Sequence, residues 1–275
     1  MKHLLEKGKI SILLSDNNNA GWSGEVHLIE YKKEKYVVRR AKTLVKAKYY
    51  EKISNQLEKQ GFLPKFLCRL GRDVLYEYID GRDLRKKESA AIIKQIGAIS
   101  AQINKIEFKG SINLRFNTQI KETTTGIFKK INKKVRPLLS EERATVIKKL
   151  YNALRKEVNP KITLDANDIS PNNFRLRNGK VYFVDVEAIK PRIKGFGIGK
   201  AFTKWFKTPQ ERMAFINGYN SVSSTKFLTE RYLDFIFLNF LVQELNYTCM
   251  FGKKFKPRIK LRKNELENLL KKYKV

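Results

Sequence analysis

Cysteine and histidine are nearly missing from this chain. Its 275 residues hold two of each, Cys68 and Cys249, His3 and His27. No pair of them has metal-site spacing and two thiols build no disulfide framework, so zinc chemistry and a disulfide-stapled fold are excluded and a reducing, cytoplasmic setting is expected. A long uninterrupted apolar run is missing too. The most apolar stretch, 227–251, is broken by Glu230, Arg231, Asp234, Asn239, Gln243 and Glu244, which a membrane span does not tolerate and which a buried helix carries at its margins. The opening Met1-Lys2-His3-Leu4-Leu5-Glu6-Lys7 has neither the apolar run nor the small-residue cleavage site of a secretory signal, and no export is expected. Acidic residues are scarce: 27 Asp and Glu face 58 Lys and Arg, a formal net charge of +31. A field of that sign draws phosphate-bearing partners such as nucleic acid, anionic lipid or phosphorylated sugar. The bases are dispersed, as a general bias toward Lys, Asn and Ile would also produce, and both readings stand at this level. The densest clusters are Lys129, Lys130, Lys133, Lys134 and Arg136, and the tail from Lys253 to Lys274.

What is present is 42% hydrophobic residues, enough for one large domain or two moderate ones. The first third reads as strands: Ser11 to Leu14, a turn-rich loop Asp16-Asn17-Asn18-Asn19-Ala20-Gly21-Trp22-Ser23-Gly24, then Val26 to Tyr31 and, past a polar turn, Tyr36 to Arg40. From Leu44 to Gln60 the apolar period becomes helical, with Gly61 as the stop. A hairpin through Gly71 joins Phe66–Leu70 to Asp73–Tyr78. Beyond Gly81 helices are predicted over 89–106, 126–136 and 141–158, then strands around Ile162–Leu164 and Val181–Asp185, then helices from about Pro209 to the end. The break at Tyr78–Gly81 reads as a hinge between two packed lobes, 1–78 and 79–275.

Past the midpoint stands Asp168-Ile169-Ser170-Pro171-Asn172-Asn173, followed by the apolar Val181-Tyr182-Phe183-Val184 and Asp185-Val186-Glu187. An acid, an Asn five positions on and a second acid at a strand end are what phosphoryl transfer from a magnesium nucleotide requires. The first acid can orient and deprotonate an attacking hydroxyl. The Asn and second acid can hold the metal, and Mg²⁺ suits such a partly hydrated all-oxygen set.

The order of these pieces resembles the aminoglycoside phosphotransferase and choline kinase group of the protein-kinase-like fold. The loop H-G-D-x-x-x-x-N of that group is written here Ala166-Asn167-Asp168 to Asn173, with Ala166 in place of the His, and Asp185-Val186-Glu187 resembles its Asp-x-Glu. Asn19-Ala20-Gly21-Trp22-Ser23-Gly24 stands where the group's phosphate-approaching hairpin loop belongs. Tyr36-Val37-Val38-Arg39 matches the third strand whose cation reaches the phosphates. Arg39 and Arg40 point to opposite faces of that strand, and Arg39 follows the apolar pair in register. The resemblance makes Glu51 the helix acid paired with that cation, with Glu58 also available. Leu75 to Gly81 is similar to the hinge strand whose backbone amides pair with adenine, which makes Tyr76, Glu77 and Tyr78 pocket candidates.

What the resemblance implies is an α+β, bilobal protein-kinase-like fold, with a small antiparallel-sheet N-lobe carrying one helix and a larger, mainly helical C-lobe. It implies an enzyme moving the γ-phosphoryl of ATP to a hydroxyl of a small-molecule or sugar-type acceptor. Asp168 is then the base and Asn173 and Asp185 the Mg²⁺ ligands, with Glu187 adding a contact through water. Asn19, Gly21, Ser23, Gly24, Arg39, Glu51, Glu77 and Tyr78 are the nucleotide contacts it implies. The group generally follows its Asp-x-Glu strand with an acidic segment anchoring a helix; here Lys190 to Lys200 is basic and Gly-rich, a receiver for an anionic acceptor or a solvated turn. Pro209 to Tyr219 resembles the group's late helix. A kinase of an anionic lipid-linked sugar at a membrane surface, a protein kinase, and a silent nucleotide- or RNA-binding module are the alternatives; nucleic acid is not the favoured partner.

Overall fold

The computed structural model describes residues 11–15, 24–107, 127–128, 133–134, 138–223, 228–249 and 256–274. The N-terminal lobe is a five-stranded antiparallel sheet in the order β1-β2-β3-β5-β4, built from β1 (Ser11–Ser15), β2 (Gly24–Tyr31), β3 (Glu34–Ala41), β4 (Phe66–Leu70) and β5 (Asp73–Glu77). Helix α1 (Leu44–Leu57) crosses it. Thr43 caps its start by accepting a hydrogen bond from the Lys46 amide, and Ala47, Tyr50, Ile53, Ser54 and Leu57 form its buried face. After one 3-10 turn Gly61, at φ 67°, ends it in the left-handed conformation.

Beyond the short β6 (Arg82–Asp83) the chain is mainly helical: α2 (Ala90–Asn104), α3 (Glu141–Val158), α4 (Phe196–Lys204), α5 (Pro209–Val222), α6 (Glu230–Cys249) and α7 (Lys256–Lys272). The helices α2 and α5 touch backbone to backbone. A Cβ on Gly97 would lie 2.1 Å from the Phe215 carbonyl oxygen, and one on Gly218 1.9 Å from that of Lys94, so only glycine permits this crossing. A second core joins α3, α6 and α7 through residues such as Leu150, Phe235 and Leu266.

Three sequence expectations change here. The helix predicted over 126–136 is absent where the chain is described: β7 (Ile127–Phe128) pairs antiparallel with β8 (Lys133–Lys134). A helix would have placed Lys129 beside Lys133 and Lys130 beside Lys134, like charges four apart that destabilise it. Of the polar residues expected at the margins of α6, Glu230 and Arg231 are exposed, but Asp234, Asn239 and Glu244 are buried, as is Asn246. Ion pairing makes this tolerable: Asp234 accepts from Lys272 Nζ and Tyr273 Oη, each at 2.6 Å, and Glu244 takes Lys204 Nζ and Arg258 Nε, each at 2.9 Å. Burial pushes the Glu244 carboxyl up, and these cations outweigh it, holding it below its ordinary value. Finally, the basic Gly-rich run is mostly regular structure, with a turn only at Lys194-Gly195. It is β12 (Ile189–Ile193) leading into α4, because Phe196, Ile198, Ala201 and Phe202 supply a buried helical face. No helix among the described residues is long and apolar enough to cross a membrane.

Candidate active site

Two hairpin-like returns bring the acids together. Strand β9 (Ile162–Ala166) leads to the Asp168 loop, a 3-10 turn begun by Pro171 ends at Asn173, and β10 (Phe174–Arg177) and β11 (Lys180–Phe183) return the chain to Asp185. Strand β12 then pairs antiparallel with β9, Ile189 opposite Ala166. Two further backbone bonds close the ring: the Val184 amide donates to the Asn173 carbonyl and the Asn167 amide to that of Ala188, both at 2.9 Å. Asn173 Nδ2 donates to the main-chain carbonyl of Asp168 at 2.8 Å, which leaves its side-chain oxygen as the acceptor of that amide.

Arg39 reaches this cluster from β3. Its guanidinium donates to Glu187 Oε2 at 2.6 Å and lies 3.2 Å from Asp185 Oδ1. Arg40, on the opposite face, pairs with the exposed-side Asp73. Burial works against the Arg39 charge, but Asp185 and Glu187 outweigh it and keep the group firmly protonated. Burial raises the Asp185 carboxyl above its ordinary value; Arg39 partly offsets this, while Glu187 and Asp168 add to it. The site therefore holds more negative charge than Arg39 alone satisfies.

The expected Arg39–Glu51 pair does not form. Glu51 accepts instead from Arg69 Nε of β4 at 2.6 Å. The residue of α1 turned toward Arg39 is the buried Tyr50, one position earlier, because α1 packs its Ala47-Tyr50-Ile53-Leu57 stripe inward and Glu51 rotates off it. Glu187, expected at the metal through water, is the carboxylate that holds Arg39. Asn19, Gly21 and Ser23 lie outside the described residues, and Gly24 opens β2.

Between the lobes is a cleft of about 340 Å³ whose walls include Val26, Val37, Arg39, Tyr76, Glu77, Tyr78 and Val184. Its size and its apolar walls suit a flat heterocycle. The amides of Glu77 and Tyr78 are not open for pairing there: Glu77 donates to the Lys65 carbonyl at 3.0 Å and Tyr78 to that of Lys35 at 3.4 Å. The lobe's own backbone takes them as β5 closes its sheet. Arg175 also lines the cleft, donating to Tyr78 Oη and to the Gly81 carbonyl, both at 3.0 Å.

Two further residues escaped the sequence reading. Lys200 of α4 forms an ion pair with Asp168 Oδ1. Asp165, only 2% exposed, accepts from the Gly197 amide at 2.8 Å and from Asn104 Nδ2 at 3.0 Å, while Tyr219 Oη donates to Asn104 Oδ1 at 2.8 Å. The helix anchor thus comes from the loop strand, and Gly197 is required opposite it, since a Cβ there would lie 1.9 Å from the Ala166 carbonyl oxygen. A charged residue inside the apolar Ile162-Thr163-Leu164 strand was the available signal for Asp165; a Lys in a basic stretch gave none for Lys200.

Burial pushes the Asp165 carboxyl up to about 6, against the hydrogen bonds from Asn104 and Gly197. Below pH ~4 it is protonated folded and unfolded alike; above pH ~6 it is ionised in both, and the buried charge then costs on the order of 3 kcal/mol. Stability from this group accordingly falls as pH rises through that window. Asp165→Asn should remove the dependence, so the difference in urea unfolding free energy between the two proteins should change by about 2–3 kcal/mol between pH 4 and 7. A pH-independent difference rules out Asp165 as the titrating group.

An Asp-Asn loop facing an Asp-x-Glu turn, joined to an interlobe cleft through Arg39 and Val184, places the chain among the kinase-like phosphotransferases. Its branch follows from comparison with known proteins: the choline/ethanolamine kinase family model matches residues 22–275, and the chain belongs to that family. Its fold is similar to that of the choline kinase LicA from Streptococcus pneumoniae, with a TM-score of 0.64 and 16% identity over 99% of this chain and 97% of that one. An ethanolamine kinase from Plasmodium vivax gives 0.66 and 14% over 95% and 83%. The AMP-bound spectinomycin phosphotransferase gives 0.62 and 14% over 98% and 96%. No curated protein matches the chain in sequence. The protein is a kinase that phosphorylates a hydroxyl group.

Proposed function

We propose that the protein moves the γ-phosphoryl of ATP, bound with Mg²⁺, onto a hydroxyl of a small-molecule or sugar-type acceptor. The observation that carries this reading is the convergence of Asp168, Asn173 and Asp185, from segments up to 17 positions apart, beside Arg39, which also lines the cleft. Residues 1–78 hold the nucleotide, with adenine between the walls at Val26 and Tyr78 and the phosphates at Arg39 and the 19–24 loop. Residues 79–275 supply the base, the metal ligands and the acceptor surface. Asp168 takes the hydroxyl proton as the oxygen attacks phosphorus. Positioning and charge neutralisation then carry most of the acceleration.

The donor set fits a magnesium ion. Asp168 Oδ1 and Asp185 Oδ1 are buried without accepting a hydrogen bond; their contacts are the ion pairs with Lys200 and Arg39. Among the described residues no three His, Cys, Asp or Glu side chains group into a metal cage; an ion that keeps its waters and binds through one or two protein oxygens plus phosphates needs none. Asp185 and Asn173 would hold it. Bound there, it would neutralise the triphosphate.

The test is a ³¹P NMR transfer screen over sugars, amino alcohols, antibiotics and anionic glycolipids, with and without Mg²⁺. Appearance of a phosphomonoester together with ADP, only when Mg²⁺ is present, is the expected result. Nucleotide binding without any Mg²⁺-dependent turnover would leave a silent binding module instead.

A further inference from the structure

An ammonium on the catalytic base needs an explanation. Lys200 Nζ sits on Asp168 Oδ1, and no other cation pairs with that carboxylate among the described residues. There it competes for the lone pairs that a substrate hydroxyl must reach. Lys200 is held in place from behind: Gly199 lets α4 press against α6, where a Cβ would lie 2.9 Å from Phe240 Cβ, so the helix has little room to move away.

Further basic side chains stand close to it. Lys190 is near enough to Asp185 to act on its carboxyl, and Arg192 Nε donates to Asn167 Oδ1 at 3.2 Å within the catalytic loop. Lys204 lies one turn after Lys200 and feels its charge. The carboxylates of this region are engaged: Asp185 and Glu187 with Arg39, Asp165 with Gly197 and Asn104, Glu244 with Lys204 and Arg258. Each of these four carboxylates already has a partner, so none of them is free to receive a cationic acceptor.

From this, and resting on the transferase reading above, we propose that the acceptor carries an anionic group, a phosphate or carboxylate, close to its reacting hydroxyl, and that Lys200 is the residue that selects it. On binding, the acceptor anion takes Lys200 away from Asp168. The freed carboxylate then accepts the hydroxyl proton as the new oxygen–phosphorus bond forms and the bond from γ-phosphorus to the β–γ bridging oxygen breaks, with ADP carrying off the electron pair. Chemistry is thereby coupled to the correct charge: a neutral or cationic alcohol leaves the base occupied.

The experiment is a matched panel of glucose, glucose 6-phosphate, glucosamine and choline with Mg-ATP, run on wild type, Lys200→Gln, Lys200→Arg and Lys200→Glu. In wild type, glucose 6-phosphate should be the best acceptor or, where it is not phosphorylated, the best competitor of Mg-ATP hydrolysis. Lys200→Gln should lose about ten- to a hundredfold of that preference, Lys200→Arg should restore much of it, and Lys200→Glu should turn it toward glucosamine. Vesicles of phosphatidylinositol, offered in a separate arm, separate a lipid headgroup from a free phosphate ester. Mg-ATP turnover that favours choline or glucosamine, or that shows no charge preference, overturns this inference while leaving the nucleotide chemistry intact. Absence of all Mg-ATP turnover in the wild type overturns the transferase reading itself.

Discussion

Asp168→Asn should remove phosphoryl transfer almost completely, with kcat down by about 10²–10⁴-fold and nucleotide affinity within a few fold of wild type. The substitution keeps the shape of the side chain and takes away its charge, and with it the ion pair to Lys200 and the capacity to accept a proton. The loop should keep its conformation, because Asn173 Nδ2 holds the main-chain carbonyl of Asp168 and not its carboxylate. The cleft and Arg39 contribute no contact that passes through Asp168, so nucleotide titrations of the variant should look nearly normal. Loss of transfer with retained binding is the expected pair of results from coupled-enzyme kinetics and calorimetry. Retained turnover would remove Asp168 from the mechanism.

Asp185→Asn should have the second large effect, and with an opposite sign in stability. Transition-state stabilisation by a metal is worth several kcal/mol, so kcat/KM should fall by about 10³-fold or more and the Mg²⁺ dependence of nucleotide affinity should disappear. The apoprotein, in contrast, should unfold no more easily and gain slightly in Tm. Burial holds the Asp185 carboxyl above its ordinary value, with Glu187 and Asp168 reinforcing it, so at neutral pH the ionised form is a cost that the neutral amide relieves. Arg39 keeps its shorter contact, with Glu187. A carboxylate retained at a stability cost is a feature of working sites. Thermal unfolding in EDTA and Mg²⁺ titrations of nucleotide binding check both halves. A variant that loses stability yet still binds nucleotide in a Mg²⁺-dependent way would contradict the metal role.

Several parts of this arrangement could be read in the sequence because they are local. The alternation of β3 separates Arg39 from Arg40, and the structure places them on opposite faces. Gly61 and Gly71 mark a helix end and a hairpin turn and take positive φ at both. The bounds of α3 came from Ser140, whose side chain accepts from the Arg143 amide, and from a regular apolar stripe. The failures share a different character. Gly197 and Gly199 read as loop residues, yet they are where a helix meets the Ala166 carbonyl and Phe240 closely. The lysine-rich 126–136 segment read as helix on propensity, while the repulsion between its turns weighs against it.

The spacing from Asp168 to Asn173 to Asp185, the faces of β3 and the limits of α1 and α3 were thus determined by the sequence alone, since each depends on neighbours within a turn or a pleat. Which charge meets which was decided only by the tertiary structure. Arg39 goes to Glu187, 148 residues away, and not to Glu51; Asp165 holds Gly197; Lys200 covers Asp168. The physical reason is that an ion pair in a folded chain follows from how buried apolar faces orient their elements, and rotation of α1 by one residue is enough to exchange the partner of an arginine.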